Sequence, residues 1–430
     1  VADQGLPQLG ENAVFNIEWE RKLGEKFYRR LHEQGVVETD LLLDHYINEL
    51  GARLLSGLDR RVRDYRFFIV KDKGVNAFAV PGGFIGVNTG LINQANSPDQ
   101  LASVLAHEIA HVRLMHSLRL MEKASGISST ALLSLLAGIL LVGANAEVGA
   151  AMVYGSVAGS QQAVINFTRE NEYEADRLGI ELLQDAGFDA NGAIEFFKIM
   201  ERLSGNTGFQ NIEYLRTHPV HANRISEAEA RIRPGTQLQQ ADIYYPMFRD
   251  YLHYVSSDHL EVTGSQFRKA LALTRLGQYE PANRILVKLH QQDGENIWYG
   301  YTLAENLEFL NRPQEAEKIY RQMLEIYPGD YILSLRLARF LRTSEQYTAA
   351  LEIARALEIN HPRKQAVFYE LTEIYQRLGQ TIFSMMSEAE YHRLAGNPER
   401  AIQLYDEVLS SADTDLATES RAREKRTQIE

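Results

Sequence analysis

The stretch His107-Glu108-Ile109-Ala110-His111 decides the fold of the first part of this 430-residue chain. On a helix, residues i and i+4 lie on one face, so both imidazoles can bind a single metal ion. Glu108 follows the first histidine and can reach a water on that metal from the side. The spacing is typical of zinc-dependent peptide hydrolysis, in which two neutral histidines are ligands and one carboxylate is the general base. The alternative is a surface helix that carries two histidines by chance.

The residues before this motif predict where its helix begins. In Ser97-Pro98-Asp99-Gln100, the serine can cap a helix, proline suits the first helical position and aspartate suits the first turn. The motif is therefore expected in the middle of a helix that packs against a core, where a metal site has rigid support. Apolar residues at helical spacing support this prediction: Leu101, Val104, Leu105 and Ile109.

A catalytic zinc keeps three protein ligands and one open position, so a third ligand is required. Downstream, Glu172 and Asp176 are four residues apart and share a helix face. The pair resembles the Glu-x-x-x-Asp element of the gluzincins. The resemblance implies that Glu172 is the third ligand and that Asp176 accepts a hydrogen bond from a ligand histidine, first of all His107. The alternative is a solvated, charge-rich helix start, and Glu170 and Glu174 are interpreted as surface charges.

Further motifs narrow the resemblance to one family. The sequence at 171–177 reads Asn-Glu-Tyr-Glu-Ala-Asp-Arg, and that at 76–83 reads Asn-Ala-Phe-Ala-Val-Pro-Gly-Gly. Together with His-Glu-Ile-Ala-His, and with Thr217-His218-Pro219 followed by Arg224, they resemble the peptidase family that includes the CAAX prenyl protease and the heat-shock protease HtpX. The resemblance implies one zinc ion per chain, with His107, His111 and Glu172 as ligands and Glu108 as catalytic base.

The same resemblance assigns roles to His218 and Arg224. In related proteases a histidine or tyrosine from outside the core helices assists the tetrahedral intermediate; in some relatives this histidine instead occupies the open zinc position and silences the enzyme. Both roles stay open for His218, as does that of a loop histidine without function. Arg224 could orient His218 or bind the developing oxyanion, and its alternative is a surface ion pair. His221 and His116 have no matched role and are interpreted as structural.

Composition excludes several classes of function. The formal net charge is −12, which argues against a nucleic-acid partner because a phosphate backbone calls for a basic surface. The chain has no cysteine, so it holds neither a disulfide framework nor a thiolate zinc site. It begins at Val1 rather than at methionine, which indicates a processed or trimmed product.

Residues 124–165 form an unusual apolar segment between the two motif helices. Ser128 to Ala144 is apolar but at the low limit for a membrane span. The segment is interpreted as a hydrophobic helical hairpin over the active site. The alternative is an element that dips into a membrane or lies on a lipid surface, giving peripheral membrane contact.

A repeat occupies the second half of the chain. Ala282, Ala316 and Ala350 are spaced 34 residues apart, which is the tetratricopeptide period. A fourth unit starts near Lys364, with Ser384 where alanine is expected, and the array is predicted to end irregularly. The prediction is a mainly α, α+β chain: a gluzincin-like zinc metalloprotease domain with a small sheet at 1–250, then an α-solenoid of tetratricopeptide repeats at 263–430.

These observations predict a zinc endopeptidase with a helical repeat module. The resemblance implies a periplasmic location, a chaperone-like role in outer-membrane protein assembly and quality control, and degradation of misassembled β-barrel proteins. The partners it implies are unfolded or stalled outer-membrane β-barrel proteins and the machinery that assembles them. The first alternative is a non-proteolytic scaffold, a chaperone or adaptor with a silent zinc site. The second, a membrane-embedded protease, is disfavoured because such relatives carry several long spans.

Overall fold

The computed structural model describes residues 17–56, 58, 64–123, 161–207, 212–219, 222–236, 238, 242–257 and 263–429. The chain divides into two compact units, Val1–Leu252 and His253–Glu430. Residues 124–160 of the apolar segment lie outside the described part, so the hairpin over the active site stays a prediction. His221 also lies outside the described part. Within the described part, no helix combines the length and the apolar character that crossing a membrane requires.

The first unit consists of helices around a small sheet. Its strands are β1 (Arg66–Val70), β2 (Ala77–Val80) and β3 (Phe84–Asn88). Its helices are α1 (Ile17–Glu33), α2 (Leu41–Leu54), α3 (Thr89–Gln94), α4 (Pro98–Arg113), α5 (His116–Lys123), α6 (Gln161–Asp185), α7 (Asn191–Thr207), α8 (Glu213–Thr217), α9 (Ala222–Arg231) and α10 (Tyr245–Ser256).

The sheet places its edge strand beside the motif helix. The strand order is β1-β3-β2, with β1 parallel and β2 antiparallel to β3. The turn at 81–83 joins β2 to β3, as the Pro-Gly-Gly sequence predicts. Strand β2 packs against α4 and, among the described residues, pairs only with β3. Apolar residues of α1, of the sheet and of the segment between α1 and α2 form a core cluster: Phe27, Leu31, Val37, Phe68, Val70, Val80 and Phe84.

Helix α4 is the buried centre of the first unit. Its N-terminus is capped as predicted, because the Ser97 hydroxyl accepts the backbone N–H of Gln100 and Pro98 follows the cap. Helix α6 packs closely along α4 because small residues line their contact. A Cβ atom on Gly179 would lie 3.3 Å from the His107 backbone nitrogen, and Ala175 is fully buried. This close approach brings the carboxylates of α6 to the histidines of α4.

The second unit is a series of antiparallel helix pairs. The pairs are α11 (Gln266–Arg275) with α12 (Tyr279–Gln292), α13 (Ile297–Phe309) with α14 (Pro313–Ile326), α15 (Tyr331–Thr343) with α16 (Tyr347–Asn360), α17 (Gln365–Arg377) with α18 (Thr381–Leu394), and α19 (Pro398–Ser410) with α20 (Leu416–Thr427). Ala282, Ala316 and Ala350 are fully buried, as expected for positions where helices cross. Helix α18 packs against both α17 and α19. The predicted fold class is confirmed.

The repeat period also appears in the backbone. Positions 277, 311, 345 and 379 follow one another at 34-residue intervals, each just after the first helix of a pair. All four are left-handed: Gly277 has φ 71°, Asn311 55°, Glu345 62° and Gly379 69°. Glycine adopts this conformation without steric cost, asparagine tolerates it, and glutamate is strained in it. The turn geometry is therefore set by the repeat, and Glu345 is the position where side chain and backbone conflict.

Replacing Glu345 by Gly should stabilise the second unit by about 0.5–1 kcal/mol, because relief of the strain exceeds the added chain entropy of glycine. Urea unfolding followed by Trp298 fluorescence, in a Trp19→Phe background, measures the change in this unit. Gly277→Glu at the equivalent turn is the matched reverse substitution and should lower stability by a similar amount. A destabilised Glu345→Gly protein would contradict the strain argument.

Candidate metal centre

The motif helix directs His107 and His111 toward one point. Their Nε2 atoms lie 2.9 Å apart, and both side chains are largely buried. Glu108, only 1% exposed, faces the same point from the side. Its carboxylate lies beside the backbone of Ala79 in β2, and its Oε1 has no hydrogen-bond partner among the described residues. The helix therefore presents two imidazoles and a buried carboxylate whose Oε1 has no hydrogen-bond partner among the described residues.

Glu172 and His218 complete the cluster from two other elements. Glu172 on α6 places Oε1 3.3 Å from His111 Nε2 and Oε2 3.4 Å from His107 Nε2. His218, directly after the short helix α8, places Nδ1 3.0 Å from Glu172 Oε1 and 3.3 Å from His107 Nε2. One donor atom from each of the four residues lies within 4.8 Å of the others. Three imidazoles and one carboxylate thus converge on a single point.

Asp176 and Arg224 surround this cluster. Asp176 Oδ1 lies 3.0 Å from His107 Nδ1. Since a carboxylate only accepts, this nitrogen carries a proton, which leaves Nε2 as the nitrogen of His107 that can bind a metal. Arg224 is 1% exposed and donates to both oxygens of Asp176, at 2.6 and 2.8 Å, and to the Pro219 carbonyl at 2.7 Å.

The position of Arg224 corrects one alternative from the sequence. Its NH1 also lies 2.9 Å from Glu172 Oε2, so every guanidinium nitrogen faces a protein group. A surface ion pair is wrong because the side chain is buried. The guanidinium is also fully engaged, so in this structure it holds two carboxylates and the chain after His218 rather than facing the point of convergence.

The charges around the cluster demand a cation. Burial alone would lower the pKa of His107, but its hydrogen bonds with Asp176 and Glu172 outweigh burial and raise this pKa to about 10. Burial lowers the pKa of His111 to about 3. Burial acts to raise the pKa of Glu172, but electrostatic interactions with His218 and Arg224 hold it well below its usual range. The carboxylates therefore require positive charge at this point, as a proton on His107 or as a divalent ion.

His116 and Glu174, interpreted from the sequence as a structural histidine and a surface charge, lie next to this site. His116 is 4% exposed, and its Nδ1 lies 2.9 Å from His111 Nδ1. Its Nε2 lies 3.1 Å from Glu174 Oε2, and Arg119 donates to the same oxygen at 2.8 Å. Burial lowers the pKa of His116 to about 4, so its ring is neutral at physiological pH. Tyr214 is a further neighbour, with its ring centroid 4.9 Å from that of His218.

Comparison with known proteins gives matches over nearly the whole chain. Residues 42–232 match Peptidase family M48, and residues 310–372 match the tetratricopeptide repeat. The chain is 30% identical to the putative β-barrel assembly-enhancing protease of Vibrio cholerae, over 94% of this chain and 87% of that protein. It is 29% identical to the β-barrel assembly-enhancing protease of Escherichia coli, over 96% and 87% respectively.

A more distant relative shares the first unit. The mitochondrial metalloendopeptidase OMA1 of Schizosaccharomyces pombe is 25% identical over 55% of this chain and 69% of that protein. The predicted enzyme class, a metalloendopeptidase, is confirmed by these matches. The match to the peptidase family model and the 30% identity over 94% of the chain show that the chain belongs to Peptidase family M48, among the β-barrel assembly-enhancing proteases.

Proposed function

We propose that the chain is a zinc-dependent endopeptidase that binds one zinc ion through His107, His111 and Glu172 and uses Glu108 as its general base. The convergence of these donors on one buried point carries the proposal. Two imidazoles and a carboxylate are the ligand set of many catalytic zinc sites. The endopeptidase function rests on this donor set together with the carboxylate of Glu108.

The spacing of the donor atoms fits zinc. Zinc bonds of 2.0–2.1 Å in a tetrahedron place neighbouring ligand atoms about 3.3–3.4 Å apart. The nitrogen and oxygen contacts described above are 2.9 to 3.4 Å long, and one donor atom from each of the four residues lies within 4.8 Å of the others. These close contacts between acceptor atoms need a cation between them, either a proton on His107 or a metal ion.

The protein groups supply positioning and proton transfer. When bound, zinc provides a Lewis acid that polarises the scissile carbonyl and acidifies a water. Glu108 Oε1 has no hydrogen-bond partner among the described residues, so once His218 has moved away it can take the proton of the attacking water and pass it to the leaving amine. Strand β2 is the edge of the sheet beside α4, so a substrate peptide can pair with it and lie across the site.

The metal assignment is tested by elemental analysis of the purified protein. We expect about one zinc per chain, lost in a Glu172→Ala variant because a site with two imidazole ligands binds zinc weakly. Glu170→Ala, which removes an exposed carboxylate two residues away, is the matched control and should retain zinc. A protein that holds no metal and takes up none on titration would overturn the proposed function.

His218 is proposed to keep the resting enzyme closed. Its Nδ1 occupies the fourth position of the cluster, where a catalytic zinc needs a free site, and its Nε2 lies 3.5 Å from Glu108 Oε1. In this arrangement the histidine blocks both the open position and the general base. Movement of the short helix α8 and the residues after it would release both.

Removing this side chain should increase activity. We expect His218→Ala to cleave casein about tenfold faster, which corresponds to a closed state favoured by about 1.4 kcal/mol. His218→Gln, which keeps a polar side chain at the position, is the matched comparison and should give a smaller increase. A His218→Ala protein that binds zinc but loses cleavage would show instead that His218 assists catalysis.

The substrates are proposed to be unfolded or stalled outer-membrane β-barrel proteins in the periplasm. The names of the similar proteases of Vibrio cholerae and Escherichia coli support this, as does the repeat unit, since stacked helix pairs offer an extended surface for chain segments. A urea-unfolded β-barrel protein should be cleaved faster than the same protein folded in detergent micelles. Equal cleavage of both forms would contradict the proposed selectivity.

A non-proteolytic scaffold is the second candidate, which the five helix pairs in the described part of the second unit favour. Suppression of β-barrel aggregation by wild type and Glu108→Gln separates the two candidates. Equal suppression together with no cleavage by wild type or His218→Ala would favour the scaffold alone. Cleavage by His218→Ala that Glu108→Gln abolishes would favour the peptidase.

A further inference from the structure

We propose that His116 and Glu174 form a positioning pair that fixes the tautomer and orientation of His111 for metal binding. This inference rests on the proposed zinc site and names residues that complete it. The pair lies on the side of His111 that faces away from the cluster. His116 contacts His111 through Nδ1, and Glu174 contacts His116 through Nε2.

The direction of each hydrogen bond follows from the carboxylate at the end of the chain. Glu174 can only accept, so His116 Nε2 carries a proton and donates it. In a neutral imidazole the other nitrogen is then an acceptor, so His116 Nδ1 accepts from Nδ1–H of His111. The proton of His111 is thereby held on Nδ1, and its Nε2 presents a lone pair to the cluster.

This arrangement matches that of the other histidine of the motif. Asp176 holds the proton of His107 on Nδ1 directly, and Arg224 holds Asp176. Glu174 holds the proton of His111 on Nδ1 through His116, and Arg119 donates to Glu174. The Nδ1–H of each motif histidine therefore has an acceptor, and an arginine donates to the carboxylate that ends each series of hydrogen bonds. Such partners fix the ring and make it a better ligand.

His116 is itself no metal ligand in this geometry. Both of its ring nitrogens face protein groups, at 2.9 and 3.1 Å, and it lies outside the group of donors that converge at the cluster. Its nearest neighbour in that group is His111, which it contacts on the nitrogen opposite the cluster. The residue therefore acts through His111.

The backbone before His116 supports a dedicated role. Helix α4 ends at Arg113, and Met115 adopts a left-handed conformation with φ 54°. A non-glycine residue pays a steric cost for this conformation, so surrounding structure must hold it there. Helix α5 then starts with His116, which faces back toward His111. The turn at Met115 directs the imidazole of His116 toward His111. If α4 continued through this position, the same side chain would point away from the site.

The test compares His116→Asn with His116→Leu. Asparagine Oδ1 takes the place of the imidazole Nδ1 and still accepts from His111, whereas leucine has similar bulk and no acceptor. Zinc affinity is measured by competition with a chromophoric chelator at pH 8, and the visible spectrum of the cobalt-substituted protein reports the ligand geometry. We expect His116→Leu to weaken zinc binding by about 10- to 100-fold and to change the cobalt spectrum. His116→Asn should recover most of both.

Two further variants sharpen the result. Glu174→Gln keeps an acceptor for His116 but removes the charge, so we expect a loss of less than about tenfold. Glu170→Gln on the same helix should bind zinc as wild type does. Circular dichroism shows whether each variant is folded.

Each outcome decides the proposal. If folded His116→Leu and His116→Asn weaken zinc equally, the effect is packing and the positioning role is overturned. If both bind zinc as tightly as wild type, the positioning role is again overturned while the proposed zinc site stands. If wild type itself binds no zinc, the proposed function falls and this inference falls with it.

Discussion

Replacing Glu108 by Gln should lower peptide hydrolysis by about 10²- to 10⁴-fold while zinc content stays at the wild-type level. Glutamine has the shape of glutamate, so the packing around this buried side chain is kept. Its amide cannot take a proton from water, so the base is lost. Burial raises the pKa of Glu108, which shows that the ionised form is costly in the fold. The neutral amide should therefore leave stability unchanged or improve it.

The measurement needs a background in which the site is open. Cleavage of casein is compared in His218→Ala and in the double variant His218→Ala with Glu108→Gln, and zinc is measured in both. Glu181→Gln, an exposed carboxylate on α6, is the matched control and should not change turnover. If the double variant cleaves as fast as His218→Ala alone, Glu108 is not the base and the mechanism is wrong.

Local patterns account for the parts of the fold that the sequence predicted. The cap at Ser97, the turn at 81–83 and the alanines at 34-residue spacing each depend on contacts within a few residues or one repeat. These patterns predict the motif helix, the turn at 81–83 and the helix pairs. The short helix α3 was not predicted, since its six residues are too few to show a helical period.

The surroundings of the metal centre depend on contacts that no local pattern contains. Arg224 meets Asp176 across 48 residues, and a solvated ion pair and a buried one have the same sequence signature. His116 follows His111 by five residues, which on a continuous helix would direct the two side chains apart. The left-handed turn at Met115 brings them together, and methionine is not a residue that predicts such a turn. Glu174 was interpreted as a surface charge because its contact with His116, 58 residues away in the sequence, is not visible in a local pattern.

Replacing Arg224 by Met should destabilise the first unit by about 3–5 kcal/mol. Methionine retains much of the side-chain volume but leaves the buried carboxylates of Asp176 and Glu172 without their cation. Arg224→Lys should recover only part of the loss, because an ammonium cannot donate to both oxygens of Asp176 and to the Pro219 carbonyl in the same geometry.

Unfolding in urea with Trp19 as the sole tryptophan, in a Trp298→Phe background, reports this loss for the first unit. Adding Asp176→Asn to Arg224→Met should cost less than the sum of the two single changes, because the asparagine removes the charge that the arginine neutralises. Saturating zinc should restore part of the stability by placing a cation beside Glu172. A loss within about 0.5 kcal/mol, the range of an ordinary surface substitution, would instead show that the carboxylates do not depend on Arg224. Arg224 and zinc are expected to compensate the same buried negative charge. If saturating zinc does not reduce the loss of unfolding free energy in Arg224→Met, the ion pair stabilises the fold independently of the metal centre.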